Sequence, residues 1–300
     1  MELDAALDRF SESAVDRRLG IDGVQVLLDD GQSASRRWGD DIRRDVFSVS
    51  KTITSLAIGM LEEDGLLTLD DPVLKHLPEL ADTAAPGSDA MTVRHLLSMT
   101  AGNGYRWLDD DGDHPGDPAR DFLATPLVAE PGAVYAYRGT NSYVLGRIVH
   151  AVTGQDLRDF LLPRLFHPLN IRNPQWNRCP LGFPLAAIGL QLRTSEIGRI
   201  AQLLLHRGSF HGQQLVAEDY LARMISQTTE TGRAEPDNRT YGLHVWLCSR
   251  DRAWRMDGIY GQFGIMLPEH GACISVTAHC LGPTTDILDA VWQHLVPALA

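Results

Sequence analysis

Ser48 and Lys51 stand three residues apart at the start of the run Phe47-Ser48-Val49-Ser50-Lys51-Thr52-Ile53-Thr54-Ser55-Leu56-Ala57-Ile58-Gly59-Met60-Leu61. Three residues is just under one helical turn, so on a helix the Ser48 hydroxyl and the Lys51 amine share a face. A serine hydroxyl is a poor nucleophile until an adjacent base takes its proton. Apart from Lys51 the run carries no charge, which predicts a buried helix. Burial penalises an ammonium ion, lowers the lysine pKa and so supplies a neutral amine near pH 7. Ser48 falls where that helix begins, leaving its own N–H without a helical partner and able to point at a developing oxyanion. The pair also has a plainer reading, in which Ser48 caps the helix and Lys51 extends its amine to solvent.

A simple count favours the chemical reading. Lys51 and Lys75 are the only lysines among 27 basic residues. A position that keeps lysine where nearly every other basic position accepts arginine points to a need for an amine that can lose its proton.

The elements that must position this pair follow from hydrophobic periodicity. Residues 1–19 read as an amphipathic helix, with Leu3, Ala6, Leu7, Phe10 and Val15 at helical spacing. Val24 to Leu28, the turn Asp29-Asp30-Gly31 and Ser33 to Trp38 read as a β-hairpin. Further helices are predicted over Thr92 to Met99, Asn141 to Val152 with Gly154 as C-cap, Thr194 to His206 and Ala217 to Ile225. Then the period changes. Tyr241 to Leu247, Ala253 to Met256, Phe263 to Leu267 and Cys273 to His279 have strand length and strand pattern, and residues 285–299 read as a closing helix. Consecutive strands joined by short turns imply an antiparallel sheet. The expected fold is therefore α+β, one catalytic unit over residues 1–300. An antiparallel sheet flanked by terminal helices is drawn from about 1–60 and 190–300, and a helical and loop part is inserted over about 61–189. Residues 103–133 and 170–190 carry no clear period, and long loops of this kind often act as lids or binding segments.

Composition narrows the partners. A chain of 300 residues with 44% hydrophobic and 22% charged residues is an ordinary globular one. Its formal charge of −12 repels nucleic acid and anionic lipid, so neither is expected as a partner. The acidic N-terminus lacks the basic and apolar regions of a signal peptide, and no window approaches the ~18 apolar residues of a membrane span. The four widely spaced cysteines read as reduced, mostly buried thiols, and a cytoplasmic location is expected.

Other chemistries find little support. The chain has no G-x-S-x-G elbow, no Walker A or G-x-G-x-x-G loop and no H-E-x-x-H motif. His206 and His211 read as solvated, His95 as a packing histidine, and Asp109-Asp110-Asp111 with Asp113 and Asp117 as a solvated lid. No metal or cofactor is expected. Of Trp107, Trp176, Trp246 and Trp254, one or two are expected to reach a cleft.

Phe47 to Leu69 with Asp71-Pro72-Val73 and Leu77-Pro78 resembles the active-site helix of the β-lactamase-like serine hydrolases, a superfamily that includes class C β-lactamases, penicillin-binding proteins, family VIII esterases, D-aminopeptidases and 6-aminohexanoate-oligomer hydrolases. Further landmarks resemble the same family in its order: Thr92 to Gly102, then Pro131-Gly132, Tyr137, Gly146 and Thr153-Gly154, then Gly261-Gln262 with Pro268. The resemblance implies a β-lactamase/transpeptidase-like fold, acylation of Ser48, activation by Lys51 and proton transfer through Tyr137. It implies an oxyanion hole from the N–H groups of Ser48 and Ile259, the latter on the strand lining the cleft. Arg138, Asn141, Gly258, Tyr260 and Trp107 are the expected substrate-contacting residues.

Two departures bear on substrate. Tyr137-Arg138-Gly139 lacks the polar residue usual two places after the tyrosine, and Met256-Asp257-Gly258 stands where the family usually offers a basic residue before glycine. That basic residue commonly helps recognise a carboxylate, a task left to Arg255 or Arg138, and its absence argues against penicillins or peptidoglycan as substrates. The expected function is hydrolysis of a small ester or amide through a Ser48 acyl-enzyme. The alternatives are an intracellular acyltransferase with an amine or alcohol acceptor, and a catalytically silent binding protein on the same fold.

Overall fold

The computed structural model describes residues 2–107 and 116–299, so the acidic run Asp109-Asp110-Asp111 and Asp113 lie outside the described residues. The chain begins with helix α1 (Glu2–Asp16), which buries Ala6, Leu7, Phe10 and Ala14 along one stripe. The hairpin follows as β1 (Ile21–Leu28) and β2 (Ser33–Arg37), and a short strand β3 (Arg44–Asp45) leads into α2 (Val49–Glu63). Every residue of α2 from Val49 to Leu61 is buried, as an uncharged, all-round apolar run dictates. Short helices α3 (Val73–His76), α4 (Val93–Leu97) and α5 (Pro118–Ala124) precede the long α6 (Gly139–Thr153) and the short α7 (Leu157–Leu161). Gly154 closes α6 at φ 72°, the left-handed cap expected of it.

The second half holds β4 (Gln191–Leu192), α8 (Thr194–Leu205), the hairpin β5 (Ser209–Phe210) and β6 (Gln213–Gln214), and α9 (Glu218–Ser226). Then come β7 (Thr229–Glu230), β8 (Thr240–Tyr241), β9 (Trp246–Leu247), β10 (Trp254–Gly258), β11 (Gln262–Leu267), β12 (Ala272–Ala278) and α10 (Thr285–Ala290). Eight strands form one antiparallel sheet in the order β2-β1-β12-β11-β10-β9-β8-β7. The two ends of the chain meet inside it, where β1 pairs with β12 from Ile21 opposite Ala278 to Leu28 opposite Ala272.

Every residue of β11 and β12 is buried, because both faces of the sheet are covered. One face packs Val24, Val26, Ile265, Ile274 and Val276 against Phe10, Ile287 and Trp292 of the terminal segments. The other packs Met256, Met266 and Cys273 with Ile197, Ile200 and Ala201 of α8 and Ile53, Leu56 and Ala57 of α2. The helical middle of the chain joins this second core through Tyr143, Val144 and Ile148 of α6 and Phe160 of α7. None of the four cysteines is in a disulfide, and three are buried. Among the described residues no helix is long and apolar enough to cross a membrane.

Three sequence expectations are corrected. Tyr241 to Leu247 is not one strand but β8 and β9 joined by a tight turn, with Gly242 N–H bonded to the Val245 carbonyl and His244 at φ 63°. Its apolar alternation hides a histidine turned into the core. The stretch 103–133 is not wholly irregular, because Asp117 caps α5 by accepting the Ala119 N–H at 3.0 Å and Pro118 fills the first helical position, where a missing N–H costs nothing. The closing helix is regular only to Ala290, after which residues 291–299 continue as wider and then tighter turns around Pro297, which has no N–H to donate.

Candidate active site

Ser48 occupies the N-cap of α2, yet its side chain makes no capping bond. Its Oγ instead accepts a hydrogen bond from Lys51 Nζ at 2.7 Å. Lys51 is only 3% exposed, so the amine does not reach out to solvent. It is held from two further sides, by the Ala187 carbonyl at 3.2 Å and by the Tyr137 ring, whose centroid lies 4.9 Å from Nζ. The plainer reading of the pair, a capping serine and an extended lysine, is not the arrangement adopted.

The turn before Ser48 is strained and pinned. Phe47 has φ 47°, a left-handed conformation that a bulky residue adopts only when its surroundings enforce it. The Asp45 carboxylate supplies that constraint, accepting the Phe47 N–H at 2.7 Å and the Gly189 N–H at 3.1 Å from a single oxygen. Burial pushes the Asp45 carboxyl up from its ordinary range, and the two N–H donors pull the other way. The segment tied down by Gly189 also carries Ala186, whose carbonyl accepts Thr54 Oγ1 at 2.8 Å, and Ala187, which holds Lys51. One carboxylate thus fixes the entry to α2 and the segment that cradles the amine. Nothing in the sequence around Asp45 marked it, and the Ala187 contribution is backbone and leaves no residue-type signal.

Ser48 and Tyr137 line a cleft of about 190 Å³ together with Arg233, Asn238, Trp246, Arg255, Asp257, Ile259, Thr284, Thr285 and Leu288. Ile259 is not on the strand but one residue beyond β10, in the turn to β11, with 56% of its surface exposed. Among the described residues neither the Ser48 nor the Ile259 backbone N–H has an acceptor. Gly258 brings this turn close, since a Cβ there would lie 2.4 Å from the Val46 carbonyl oxygen, two residues before Ser48. Tyr260, at φ 65°, braces the same turn with its ring edge-on to Phe47 at 5.3 Å and stacked on His279 at 5.1 Å.

Three of the expected substrate-contacting residues are not among the described residues that line the cleft. Trp107 is buried against Tyr143, ring centroids 4.8 Å apart, and belongs to the helical core. Asn141 is 2% exposed in the first turn of α6, and its amide donates to Met99 Sδ at 3.5 Å. Arg138 turns its guanidinium back to the Tyr137 carbonyl at 3.3 Å. All three lie within one turn of α6 or in contact with it, and that helix turns inward. Of the four tryptophans singled out in the sequence, Trp246 reaches the cleft.

The far wall is polar. Asp257 is the one residue of β10 that is not fully buried, and it opens on the cleft. Desolvation raises its carboxyl pKa and the Arg255 guanidinium, 2.9 Å away, opposes the rise. Arg255 has no exposed surface and also donates to the Asp237 carbonyl and to Asn238 Oδ1, each at 2.6 Å. Behind Tyr137, Tyr135 and Tyr241 pack with Trp246, and burial pushes both phenols far up. His244 is fully enclosed, between the Leu97 carbonyl and Ser142 Oγ at 2.8 Å each, and burial with the charge of Lys51 pushes it down to about 3. Among the described residues no group of three or more His, Cys, Asp or Glu side chains could hold a metal ion.

Known proteins resemble parts of this chain in sequence and nearly all of it in fold. Esterase EstB of Burkholderia gladioli is 32% identical over 201 residues, covering 57% of this chain and 51% of its own length. Lovastatin esterase of Penicillium rubens is 31% identical over 153 residues, 43% of this chain and 38% of its own. The chain thus matches about half or less of the length of these relatives. Among solved structures, a D-stereospecific amidohydrolase from a Streptomyces species superposes with a TM-score of 0.73 at 21% identity, covering 96% of this chain and 98% of that one, a likeness of fold. The β-lactamase family model matches residues 12–296, and the chain belongs to that family.

Proposed function

We propose that the protein is a serine hydrolase that cleaves a small ester or amide through an acyl-enzyme on Ser48. The observation that carries this reading is the 2.7 Å contact between Ser48 Oγ and Lys51 Nζ, buried at one end and opening on a cleft at the other. When the amine is neutral, the Ser48 proton passes to Lys51 as Oγ attacks the substrate carbonyl carbon. In this reading the N–H groups of Ser48 and Ile259, two residues that line the cleft, receive the oxyanion of the tetrahedral intermediate. Lys51 then returns the proton to the leaving alcohol or amine, with the Tyr137 phenol relaying it. Water repeats the sequence in reverse, adding to the acyl carbon and releasing Ser48.

A cleft of about 190 Å³ favours a small substrate over a polymer. The esterase relatives favour an ester. The test is release of 4-nitrophenol from short-chain 4-nitrophenyl esters, with Ser48→Ala as the blank and with products analysed in the presence of an added primary amine. Turnover that gives free acid supports the hydrolase. Turnover that gives mainly amide moves the reading to an acyltransferase. A folded protein that turns over neither esters nor amides and resists serine-directed reagents is a binding protein, and the proposal fails.

A further inference from the structure

The three proposed catalytic side chains are not anchored alike. Ser48 caps α2 and Lys51 lies within it, whereas Tyr137 comes from residues 135–138, which belong to neither helix nor strand. The backbone around Tyr137 is nevertheless fixed, and one residue fixes it on both sides. The Met99 carbonyl accepts the Ala136 N–H at 2.8 Å, and Met99 Sδ accepts the Arg138 N–H at 3.5 Å. The same sulfur accepts the Asn141 side-chain amide at 3.5 Å, which ties the first turn of α6 to it as well.

Methionine is an unfavourable residue for this backbone. Met99 has φ 60°, a conformation that glycine takes freely and a bulky side chain adopts only under constraint. The chain turns away here, and the next carbonyl, that of Thr100, accepts the Gly132 N–H at 2.7 Å instead of the Arg138 N–H. The thioether takes the place of that acceptor. Thioether sulfur accepts weakly, but Met99 has no exposed surface, so no water competes for it. Met99 also packs with Tyr241 and Trp246, the cluster against which Tyr135 and Tyr137 lie. The Tyr137 ring stands 5.7 Å from Trp246, 5.8 Å from Tyr241 and 4.9 Å from Lys51 Nζ.

We propose that Met99 is the positioning residue for Tyr137: its carbonyl and its sulfur hold the N–H groups on either side of the tyrosine and so set the approach of the phenol to the Ser48–Lys51 pair. The inference rests on the reading of Ser48 as the nucleophile and of Tyr137 as the proton relay. A relay of this kind is sensitive to small displacements, because the proton moves only between groups within hydrogen-bond reach. Met99 touches no reacting atom and acts through Tyr137 alone.

Three substitutions and one cycle test this. Met99→Leu keeps the volume and the apolar character and removes the sulfur. Met99→Gly also removes it and takes the left-handed backbone without strain, so it replaces the leucine variant should that one not fold. Met99→Gln offers an oxygen acceptor where the sulfur was. The assay is kcat/KM for phenyl acetate, whose phenoxide leaves more readily when it is protonated. Met99→Leu is expected to lower it about tenfold, and Met99→Gln to recover part of the loss. In the Tyr137→Phe background Met99→Leu is expected to change kcat/KM by no more than about twofold, because no phenol remains to be misplaced. A role in packing alone would lower both backgrounds equally. Crystal structures of the wild type and Met99→Leu read the placement without turnover, and the Tyr137 ring is expected to move from Lys51 by about 1 Å or more. If esters are not hydrolysed and Ser48 takes no fluorophosphonate, the nucleophile reading falls while the two crystal structures still decide whether Met99 holds Tyr137. Activity of Met99→Leu within about twofold of wild type, an equal loss in both backgrounds, or an unmoved Tyr137 in the variant crystals overturns the proposal.

Discussion

The two walls of the cleft are built differently. The wall that carries Ser48 and Lys51 is one buried helix, entered through a strained turn and locked by a buried carboxylate and two backbone carbonyls. The opposite wall is assembled from the β10–β11 turn, the segment before β8 and the start of α10, and much of it is exposed. The first wall is over-determined and has little freedom to change, as the proposed proton transfer requires. The second mixes a fixed base, where Arg255 is buried and bonded to Asp257, Asp237 and Asn238, with exposed side chains such as Ile259 and Arg233.

The sharpest break in this comparison comes from the first wall. Ser48→Ala is expected to lower ester turnover at least about 10³-fold, and Lys51→Ala about 10²–10⁴-fold, both read as kcat/KM on one neutral ester. Tyr137→Phe keeps the ring beneath Lys51 and removes only the phenol. It is expected to lower kcat about 10–100-fold with little change in unfolding midpoint, which separates proton relay from packing.

Stability experiments test the locking. Asp45→Ala leaves the Phe47 and Gly189 N–H groups without their acceptor and is expected to cost about 1–3 kcal/mol in urea unfolding. Asp45→Asn retains an acceptor oxygen and sheds a charge that burial disfavours, so it costs less. His244 gives the pH signature. Its folded pKa, about 3, lies below the ordinary 6.5, so the unfolded chain binds the extra proton between those values. The His244 contribution is therefore complete above about 6.5 and is lost as pH falls towards 3, by at most about 1.4 kcal/mol per pH unit. Asn tolerates the left-handed backbone, and His244→Asn is expected to flatten that slope. On the second wall, Ile259→Ala removes an exposed side chain and is expected to change stability by no more than about 0.5 kcal/mol.

How far the sequence could be read follows the same division. Ser48 and Lys51 were legible because helical spacing, an uncharged window and the scarcity of lysine all point to one buried face. The terminal helix, the first hairpin and β10 to β12 were legible from period alone. The His244 turn was not, because a polar side chain bonded inside the core mimics a strand position. Asp45 and the Ala187 carbonyl act through hydrogen bonds between segments about 140 residues apart, which no local pattern encodes. Arg233, Asn238 and Thr284 reach the cleft from loops without a period, so only the three-dimensional structure brings them to Ser48. Trp107 and Asn141 differ in the other direction, since both are buried at or beside α6 and neither is among the described residues lining the cleft.

The central claim is that Ser48 is a nucleophile activated by Lys51, and the most direct measurement is intact mass after exposure to a serine-directed fluorophosphonate. The account predicts one adduct on the wild type, mapped to the peptide containing Ser48, absent in Ser48→Ala and much slower in Lys51→Ala. A folded wild type that takes no adduct, or a Ser48→Ala variant that takes the same one, would contradict it.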